Sequence, residues 1–469
     1  MPRTIHFVSL GCAKNRVDTE VMLGVAGVTD HAPVDDPADA DVIVVNTCGF
    51  IGPAKEESVD TILEMAEHKE AGRCETLVVA GCLSQRYPDQ LATEMPEVDH
   101  FLGSSDMLKL GPVLRREAKE RMLVGNPAEY TMRATDPRTL TERGHSAYVK
   151  IAEGCNRRCS FCAIPSFRGD LRSRSLEDLV EEAKRLAEAG VVELNLVSQD
   201  TVAWGRDDKD SGSRLADLAA ALGDVDGISW VRIHYLYPEK LTTALLDVMA
   251  DHPAVLPYVD MPLQHAATNV LKRMRRGHGE DRLRGLVERL RGRLRDMVFR
   301  TTFLVGHPGE TDADFEALLE FVRWAELDHV GVFVFSPEDA TPAAAMEGAV
   351  EEKVARRRRR ALMRVQRPIS RERLKARIGT EIDVLVDGVS EEHEYLLAGR
   401  WWGQAPEVDG KVLLANGDAQ PGELRRALVT NAADYDLVAD LYTPEGAWAP
   451  PPGTRRPRKR KIKLRTLQR

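Results

Sequence analysis

Residues 153–162 have the sequence EGCNRRCSFC and contain three cysteines, Cys155, Cys159 and Cys162, in the spacing C-x-x-x-C-x-x-C. They follow the apolar segment 147–151, for which we predict a strand. Thiolates this close in sequence, on a loop that leaves a strand, can converge on one metal centre. Three thiolates without a nearby fourth match a 4Fe–4S cluster with one open iron. An open iron can bind a small molecule, so the motif predicts a catalytic cluster rather than a structural one.

Two other interpretations of this motif stay open at the level of sequence. A structural zinc ion usually takes four protein ligands, and His145 is the local candidate for the fourth. Alternatively, the three cysteines are ordinary buried thiols, because free cysteine is often a core residue.

Length and composition limit the class of protein. With 469 residues, the chain is long enough for about three domains. We find no apolar run of the roughly 18 residues that cross a membrane, and we expect no signal peptide at the N-terminus. Seven cysteines, an odd number, fit a disulfide framework poorly. Metal or redox chemistry in a reducing cytoplasm is therefore the expected use of these cysteines.

The charge of the chain is unevenly distributed. The formal net charge is −9, but residues 454–469 contain nine Lys or Arg and no acid, which leaves −18 on the rest. An acidic body is a poor surface for nucleic acid and suits a basic protein partner, although a surface adapted for solubility would have the same charge.

Three further cysteines in the first third each follow a predicted strand. These are strand 4–8 with Cys12, strand 41–45 with Cys48, and strand 76–80 with Cys82. Strands that alternate with helical segments predict a parallel sheet, in which all strands end at the same edge. We therefore expect the three cysteines to approach one another as a second iron–sulfur site, with three buried thiols as the alternative. Cys74 precedes its strand and is not expected to be a ligand.

From residue 147 onward the alternation of strands and helices continues. We predict strands at 147–151, 192–197, 230–234, 257–261, 300–305 and 329–335, and helices at 176–189, 215–222, 244–250, 281–295 and 312–326. Six strands are too few for a closed eight-stranded barrel, so we expect an open partial barrel with a wide mouth.

Polar residues and glycines follow the predicted strands of this barrel, where its chemistry should lie. The candidates for contact with an adenosyl cofactor are Gln199, Asp200, Arg232, Gln264, His265 and Gly306. For each one alone, loop capping is as good an explanation. Segment 166–174 contains arginines that can bind carboxylates of a cofactor or of acidic side chains.

The last third begins with a charged helix, predicted for 351–377 and interrupted near Pro368. Short alternating segments then predict a small five-stranded barrel, of a type that often binds RNA or ribosomal partners. In the first third of the chain, the segment 104–116 is also predicted to be a helix, with Ser104 or Ser105 as its N-cap. Trp401 and Trp402 are either exposed partner contacts or part of the small barrel's core.

The spacing of Cys155, Cys159 and Cys162 is similar to the signature of radical S-adenosylmethionine enzymes. With the second cysteine triad ahead of it and a small barrel behind, the chain resembles the methylthiotransferases of that superfamily. Three segments resemble the branch that modifies an aspartate of ribosomal protein S12, namely SLGCAKN at 9–15, IPSFRG at 164–169 and QAPEVDG at 404–410. Ala13 and His307 depart from the family's pattern, which has proline and phenylalanine there.

This resemblance implies an α/β fold with a Rossmann-like parallel-sheet domain, a partial (β/α)6 radical-SAM barrel and a C-terminal, TRAM-like antiparallel five-stranded barrel. The implied domains are 1–125 with an auxiliary cluster, 141–350 for radical SAM, 351–378 for a connecting helix, 379–443 for the TRAM-like barrel, and 444–469 for a basic, disordered tail.

The resemblance also implies the chemistry and the partners. Both triads would hold 4Fe–4S clusters and be catalytic. The cluster at Cys155 would bind S-adenosylmethionine, whose 5′-deoxyadenosyl radical takes hydrogen from the aspartate β-carbon. The second cluster would carry the inserted sulfur, and a further S-adenosylmethionine the methyl group.

The expected partners are ribosomal protein S12, an electron donor and, through the basic tail, ribosomal RNA. A monomer without membrane contact is expected. The alternative functions are methylthiolation of adenosine in transfer RNA, and metal-stabilised binding to RNA or ribosomes without catalysis.

Overall fold

The computed structural model describes residues 3–141, 144–208, 210 and 212–442. The basic tail, for which disorder and RNA binding are expected, lies outside these residues. Among the described residues, no helix is long and apolar enough to cross a membrane.

Within residues 3–141, six parallel strands form one sheet in the order β2-β1-β3-β4-β5-β6. The strands are β1 (Arg3–Ser9), β2 (His31–Pro33), β3 (Val42–Thr47), β4 (Thr76–Gly81), β5 (His100–Leu102) and β6 (Met122–Leu123). The helices are α1 (Ala13–Val28), α2 (Gly52–Ala71), α3 (Cys82–Arg86), α4 (Pro88–Glu94) and α5 (Leu110–Leu114). All six residues of β3 are buried, as expected for a parallel sheet that is covered on both faces.

One helix of this domain differs from its prediction. The α-helix predicted for 104–116 is limited to α5, which a short 3-10 turn at Met107–Lys109 precedes. Ser104 is not its cap, because the Ser104 hydroxyl donates instead to the backbone oxygen of Phe167, 2.9 Å away. This serine therefore joins the first domain to the second.

The central domain is the expected partial barrel. Within the described part of residues 144–334, the barrel strands are β7 (Ser146–Lys150), β10 (Glu193–Val197), β11 (Trp230–Ile233), β12 (Tyr258–Asp260), β13 (Val298–Val305) and β14 (His329–Val334). The strands β8 (Ala152–Glu153) and β9 (Arg172–Ser173) form a separate two-stranded antiparallel sheet. The barrel strands are parallel, in the orders β11-β10-β7 and β12-β13-β14. A bridge between Val231 and Val255 joins the halves, so β7 and β14 are the two ends of the open wall.

The helices of this domain are α6 (Ile164–Arg168), α7 (Leu176–Glu188), α8 (Leu215–Gly223), α9 (Thr243–Asp251), α10 (Thr268–Arg273), α11 (Glu280–Arg293) and α12 (Asp312–Ala325). The five predicted helices are confirmed, with ends that differ by at most two residues. The short helices α6 and α10 were not predicted, because one and a half turns do not produce a hydrophobic period.

The connecting helix α13 (Glu352–Lys375) is continuous, so the predicted interruption at Pro368 is wrong. Packing against the central domain holds this helix together. For example, the Gln366 side-chain amide donates to the backbone oxygen of Leu327, 2.6 Å away, and the Ser370 hydroxyl donates to that of Asp328, 2.9 Å away.

Within residues 379–442, five strands close into a barrel in the order β15-β16-β17-β19-β18. They are β15 (Glu381–Val389), β16 (Leu397–Trp401), β17 (Val412–Ala415), β18 (Leu424–Ala432) and β19 (Leu437–Leu441). The predicted five-stranded barrel is confirmed, but it is not purely antiparallel, because β17 and β19 pair in parallel. A long connection that contains β18 separates these two strands in sequence, which permits the parallel pairing.

Trp401 belongs to the core shared by the small barrel and the central domain. Its side chain is 1% exposed and packs with Trp230, Tyr258 and Val298, which lie in or at the start of central strands. The Arg377 guanidinium stacks on the Trp401 ring at 3.9 Å. Of the two interpretations of this tryptophan, packing is therefore confirmed.

We predict that Trp401→Ala loosens the C-terminal barrel. Removal of a fully buried tryptophan should lower the free energy of opening of β15–β19 by about 3–5 kcal/mol. Hydrogen–deuterium exchange of these strands measures this free energy. Tyr395→Ala, at a side chain that is 90% exposed, is the control and should change it little. Equal protection in both variants would contradict the assignment of Trp401 to the core.

Candidate functional site

The sheet brings Cys12, Cys48 and Cys82 to one edge, as predicted. Cys12 is the residue before α1, Cys48 directly follows β3, and Cys82 is the first residue of α3. Their strands β1, β3 and β4 are neighbours, so the three chain segments leave the sheet side by side. A β-carbon on Gly11 would lie 3.3 Å from the Cys48 sulfur, which shows how closely the first two segments approach.

The three thiols of this group differ in their electrostatic surroundings. Burial raises the pKa of the Cys48 thiol to about 12, and the neighbouring Cys82 and Cys12 thiols add to this effect. Cys12 keeps solvent access, but protein surrounds it on most sides, and this partial burial by itself would raise its pKa. The Lys14 ammonium and the backbone N–H groups at the start of α1 outweigh that effect, so the pKa of Cys12 is lower than usual. Iron binding would stabilise all three as thiolates.

The second triad described here, Cys155, Cys159 and Cys162, lies on the loop between β8 and α6. The Cys155 N–H donates to the Gly169 oxygen at 3.0 Å, and the Ser160 N–H donates to the Met274 oxygen at 3.1 Å. Gly154 has a φ of +76°, and a β-carbon there would overlap the Asp170 carbonyl. The backbone therefore fixes this loop, and glycine is required at its start.

Cys155 and Cys159 are buried, and Cys162 is half-buried. Burial raises the pKa of Cys155 to about 11 and that of Cys162 to about 12. The Cys159 and Cys155 thiols also raise the pKa of Cys162. Thiols of this kind become good ligands when a metal centre replaces their protons.

Each triad supplies three thiols, the number of protein ligands of a 4Fe–4S cluster with one open iron. In the described ranges, no three His, Cys, Asp or Glu side chains converge closely enough to hold one metal ion. His145 lies before the first residue of β7, at the opposite end of that strand from the cysteine loop, where its Nε2 is 3.0 Å from the Asp387 carboxylate of the C-terminal barrel. The zinc interpretation therefore lacks its fourth ligand.

A buried network of charges lies between the two triads. Lys150, at the end of β7, forms ion pairs with Asp18 on α1 and with Glu153 on β8. Arg168, at the end of α6, pairs with Asp18 at 3.1 Å and with Glu153 at 3.3 Å. One Nη of Arg168 also lies 3.2 Å from the sulfur of Cys82. The network therefore connects the loop of the second triad to a cysteine of the first.

Only part of this network follows from the sequence. The arginines of segment 166–174 are expected to bind carboxylates, and Arg168 does so. Lys150, Asp18 and Glu153 are site residues that only the structure reveals. The available signal was the charge of Lys150 in an otherwise apolar strand, since a buried charge requires a partner.

The six predicted cofactor contacts differ in the partners that they already have. Gln199 donates to the Glu153 carboxylate at 3.3 Å, and Asp200 accepts from Arg157 at 2.6 Å, so both lie beside the cysteine loop. Gln199 Oε1 and Asp200 Oδ1 are buried without a hydrogen-bond partner. These two side chains thus retain acceptors for a ligand.

His265 also has a buried ring nitrogen without a partner, Nε2, while its Nδ1 accepts from the Ala267 N–H at 3.0 Å. Burial lowers the pKa of His265 to about 3, so the ring is neutral at physiological pH. Its position after β12 matches the prediction, and Ser160 of the cysteine loop contacts His307 after β13 at 3.3 Å.

The remaining three candidates have structural partners. Arg232 is fully buried, pairs with Glu193 at 3.1 Å and donates to the Trp402 oxygen at 2.7 Å. Gly306 faces α13, where a β-carbon would lie 2.5 Å from that of Ala355. Gln264 has a φ of +69°, and its backbone pairs with β13 next to Phe303. These contacts explain the three residues without a cofactor.

A loop of the C-terminal barrel contacts both edge strands of the partial barrel. The Tyr148 hydroxyl on β7 donates to the Pro406 oxygen at 3.4 Å, and His329 on β14 donates to the Gly403 oxygen at 3.3 Å. Arg16 of the first domain forms an ion pair with Glu407 of the same loop. This loop of the C-terminal barrel therefore contacts both of the other domains, which the sequence did not indicate.

Family models match three regions of the chain. The radical SAM superfamily matches residues 149–322, the uncharacterized protein family UPF0004 matches 4–103, and the TRAM domain matches 378–441. Each match lies mainly in one of the three structural units described above, and the UPF0004 match ends before α5 and β6.

The chain is similar to curated proteins over nearly its whole length. It is 60% identical to the ribosomal protein uS12 methylthiotransferase RimO of Sorangium cellulosum, covering 99% of this chain and 98% of the relative. It is 48% identical to the protein of the same name from Myxococcus xanthus, covering 93% and 91%. Among solved structures, the radical S-adenosylmethionine methyltransferase TsrM of Kitasatospora setae aligns with a TM-score of 0.54, at 16% identity and with 73% and 77% coverage, which shows similarity of fold.

We predict that Gly154→Ala removes the cluster held by Cys155, Cys159 and Cys162. The cluster held by Cys12, Cys48 and Cys82 should remain. The added β-carbon would overlap the Asp170 carbonyl and displace the cysteine loop. Iron per chain should fall from about eight to about four in anaerobic analysis. Gly285→Ala, on α11 with no atom within 4 Å of the added carbon, is the matched control and should retain all iron. Full iron content in Gly154→Ala would show that the loop tolerates the displacement.

Proposed function

This chain belongs to the family of ribosomal protein uS12 methylthiotransferases, and we propose that it attaches a methylthio group to the β-carbon of an aspartate of uS12. It is a transferase that acts by radical S-adenosylmethionine chemistry with two 4Fe–4S clusters. The observation on which the proposal rests is the pair of cysteine triads on either side of one buried ionic network.

Each triad has its own task in this proposal. Cys155, Cys159 and Cys162 hold the cluster that, with bound S-adenosylmethionine, supplies the one-electron chemistry needed to activate an unreactive C–H bond. Cys12, Cys48 and Cys82 hold the cluster associated with the inserted sulfur. A second S-adenosylmethionine supplies the methyl group.

Residues beside the cysteine loop would hold the adenosyl cofactor. Gln199 Oε1 and Asp200 Oδ1 are buried acceptors without partners, and an ammonium group can donate to both. Arg157 fixes Asp200 from the other side and stacks on the ring of Tyr237 at 3.7 Å. We assign Gln199 and Asp200 to the cofactor, and Arg232, Gln264 and Gly306 to the fold.

The charge of the body supports a basic protein substrate over transfer RNA. Without residues 454–469 the chain has a net charge of −18, which attracts a basic ribosomal protein and repels a polyanion. The names of the relatives agree with uS12 as the substrate. We further propose that the basic tail approaches ribosomal RNA, that an external protein donates the electron, and that the chain acts as a cytoplasmic monomer.

Single cysteine substitutions should separate the two tasks. Cys155→Ala should abolish cleavage of S-adenosylmethionine, measured as release of 5′-deoxyadenosine. Cys48→Ala should retain cleavage and lose thiolation of uS12, because the cluster held by Cys155, Cys159 and Cys162 remains intact. Cys74→Ala is the control, since Cys74 precedes β4, at the end of that strand opposite to Cys82, and its thiol donates to the Thr76 oxygen. Catalytic product formation by Cys48→Ala would disprove the role of the N-terminal triad.

The substrate can be identified in cells that lack this gene. Mass spectrometry of uS12 should show an unmodified aspartate peptide in the deletion strain and a methylthiolated peptide in the parent. Complementation with the Cys155→Ala variant should not restore the modification. If transfer RNA loses a methylthio group instead, while uS12 is unchanged, uS12 is not the substrate.

A further inference from the structure

Arg168 connects the central domain directly to a cysteine of the N-terminal domain. One Nη of its guanidinium lies 3.2 Å from the sulfur of Cys82 and 2.8 Å from the side-chain oxygen of Asn15. The side chain is 3% exposed, so water does not compete for these bonds. A charged N–H donor is therefore directed at Cys82 from a different domain.

Short-range contacts hold α6, which presents Arg168, against the N-terminal domain. The Ser104 hydroxyl donates to the Phe167 oxygen at 2.9 Å, and the Arg168 guanidinium donates to the Ser104 oxygen at 3.3 Å. The Phe167 ring is buried against Cys82 and Ala163. The position of the guanidinium thus depends on how the two domains dock.

The charges around Arg168 make its effect on Cys82 predictable. Arg168 and Lys150 are the cations of the network, and Asp18 and Glu153 are the anions, so the four side chains balance. A Cys82 thiolate adds one negative charge to this balanced group. In a buried setting the guanidinium then interacts strongly with that charge, because little water screens it.

We propose that Arg168 is a positioning residue of the N-terminal cluster, which raises the cluster's midpoint potential through a charged N–H···S hydrogen bond to Cys82. Hydrogen bonds and positive charge at ligand sulfurs stabilise the reduced form of an iron–sulfur cluster, which carries more negative charge. The inference rests on the proposed function, in which Cys82 is a ligand. It adds that the central domain controls the redox properties of a cluster held by another domain.

The test measures the midpoint potential of the N-terminal cluster alone. The full-length triple variant Cys155→Ala, Cys159→Ala, Cys162→Ala isolates this cluster, and redox titration monitored by electron paramagnetic resonance gives its potential. In this background Arg168→Met should lower the potential, and Arg168→Lys, which keeps the charge and a donor, should restore part of the loss. Asp18→Asn should raise the potential, because it removes a negative charge close to Cys82.

Arg138→Met is the matched control. Arg138 is also a buried arginine between the two domains, paired with Glu20 at 2.6 Å and with Glu182 at 2.6 Å, and its described bonds do not include a cysteine. Its loss also removes two ion pairs at the domain interface, as the loss of Arg168 does, yet the potential should not change. A shift in Arg138→Met equal to that in Arg168→Met would show that general loosening of the interface causes the effect and would overturn the inference.

Iron analysis distinguishes failure of this inference from failure of the proposed function. A triple variant without iron would disprove the N-terminal ligand assignment and, with it, the role of Arg168. A triple variant with about four irons per chain, whose potential is the same with Arg168, Lys or Met, would overturn the inference alone. If Arg168→Met does not retain its cluster, the other two variants decide the result. Arg168→Lys should lower the midpoint potential, and Asp18→Asn should raise it.

Discussion

The buried ion pairs of Lys150 with Asp18 and Glu153 are the interaction on which the arrangement of the domains depends. A lysine that is 1% exposed at the end of a strand is very unfavourable unless anions compensate its charge. Burial lowers the pKa of Lys150, but the two carboxylates raise it by more, so the ammonium stays charged. Asp18 belongs to the first domain and Glu153 to the central domain. Lys150 therefore has both carboxylates as partners only when the two domains are docked as they are here.

The same ionic network holds the two cysteine triads at a set distance from each other. Glu153 is two residues before Cys155 in sequence, and Arg168 reaches from the same domain to Cys82. Burial raises the pKa of Glu153, whereas Lys150 and Arg168 lower it to about 2, which keeps the carboxylate ionised. A charged network of this kind is rigid, because any movement that separates its members exposes an uncompensated buried charge. A rigid connection suits the proposed function, in which the two clusters have separate tasks.

The C-terminal barrel is firmly attached to the central domain. Its loop 403–409 contacts both edge strands of the partial barrel, β7 and β14. Asp409 accepts from the Tyr258 hydroxyl at 2.5 Å, inside the central domain. A second buried pair, Arg400 with Glu193 at 2.7 Å, holds the two units together. The small barrel thus shares a core and buried polar contacts with the central domain and is more than an appended binding module.

The sequence alone determined the cysteine triads, the parallel sheet that gathers the first of them, the partial barrel and the small barrel. It could do so because these features follow from local rules. Hydrophobic periods give strands and helices, and the carboxyl ends of parallel strands meet at one edge. The tertiary structure decided which polar residues face the clusters. Arg232 looked like a cofactor contact and is neutralised by Glu193, while Lys150 and Asp18 came into the site from distant parts of the chain. Pairing between buried charges depends on how domains dock, and no local pattern of residues records that docking.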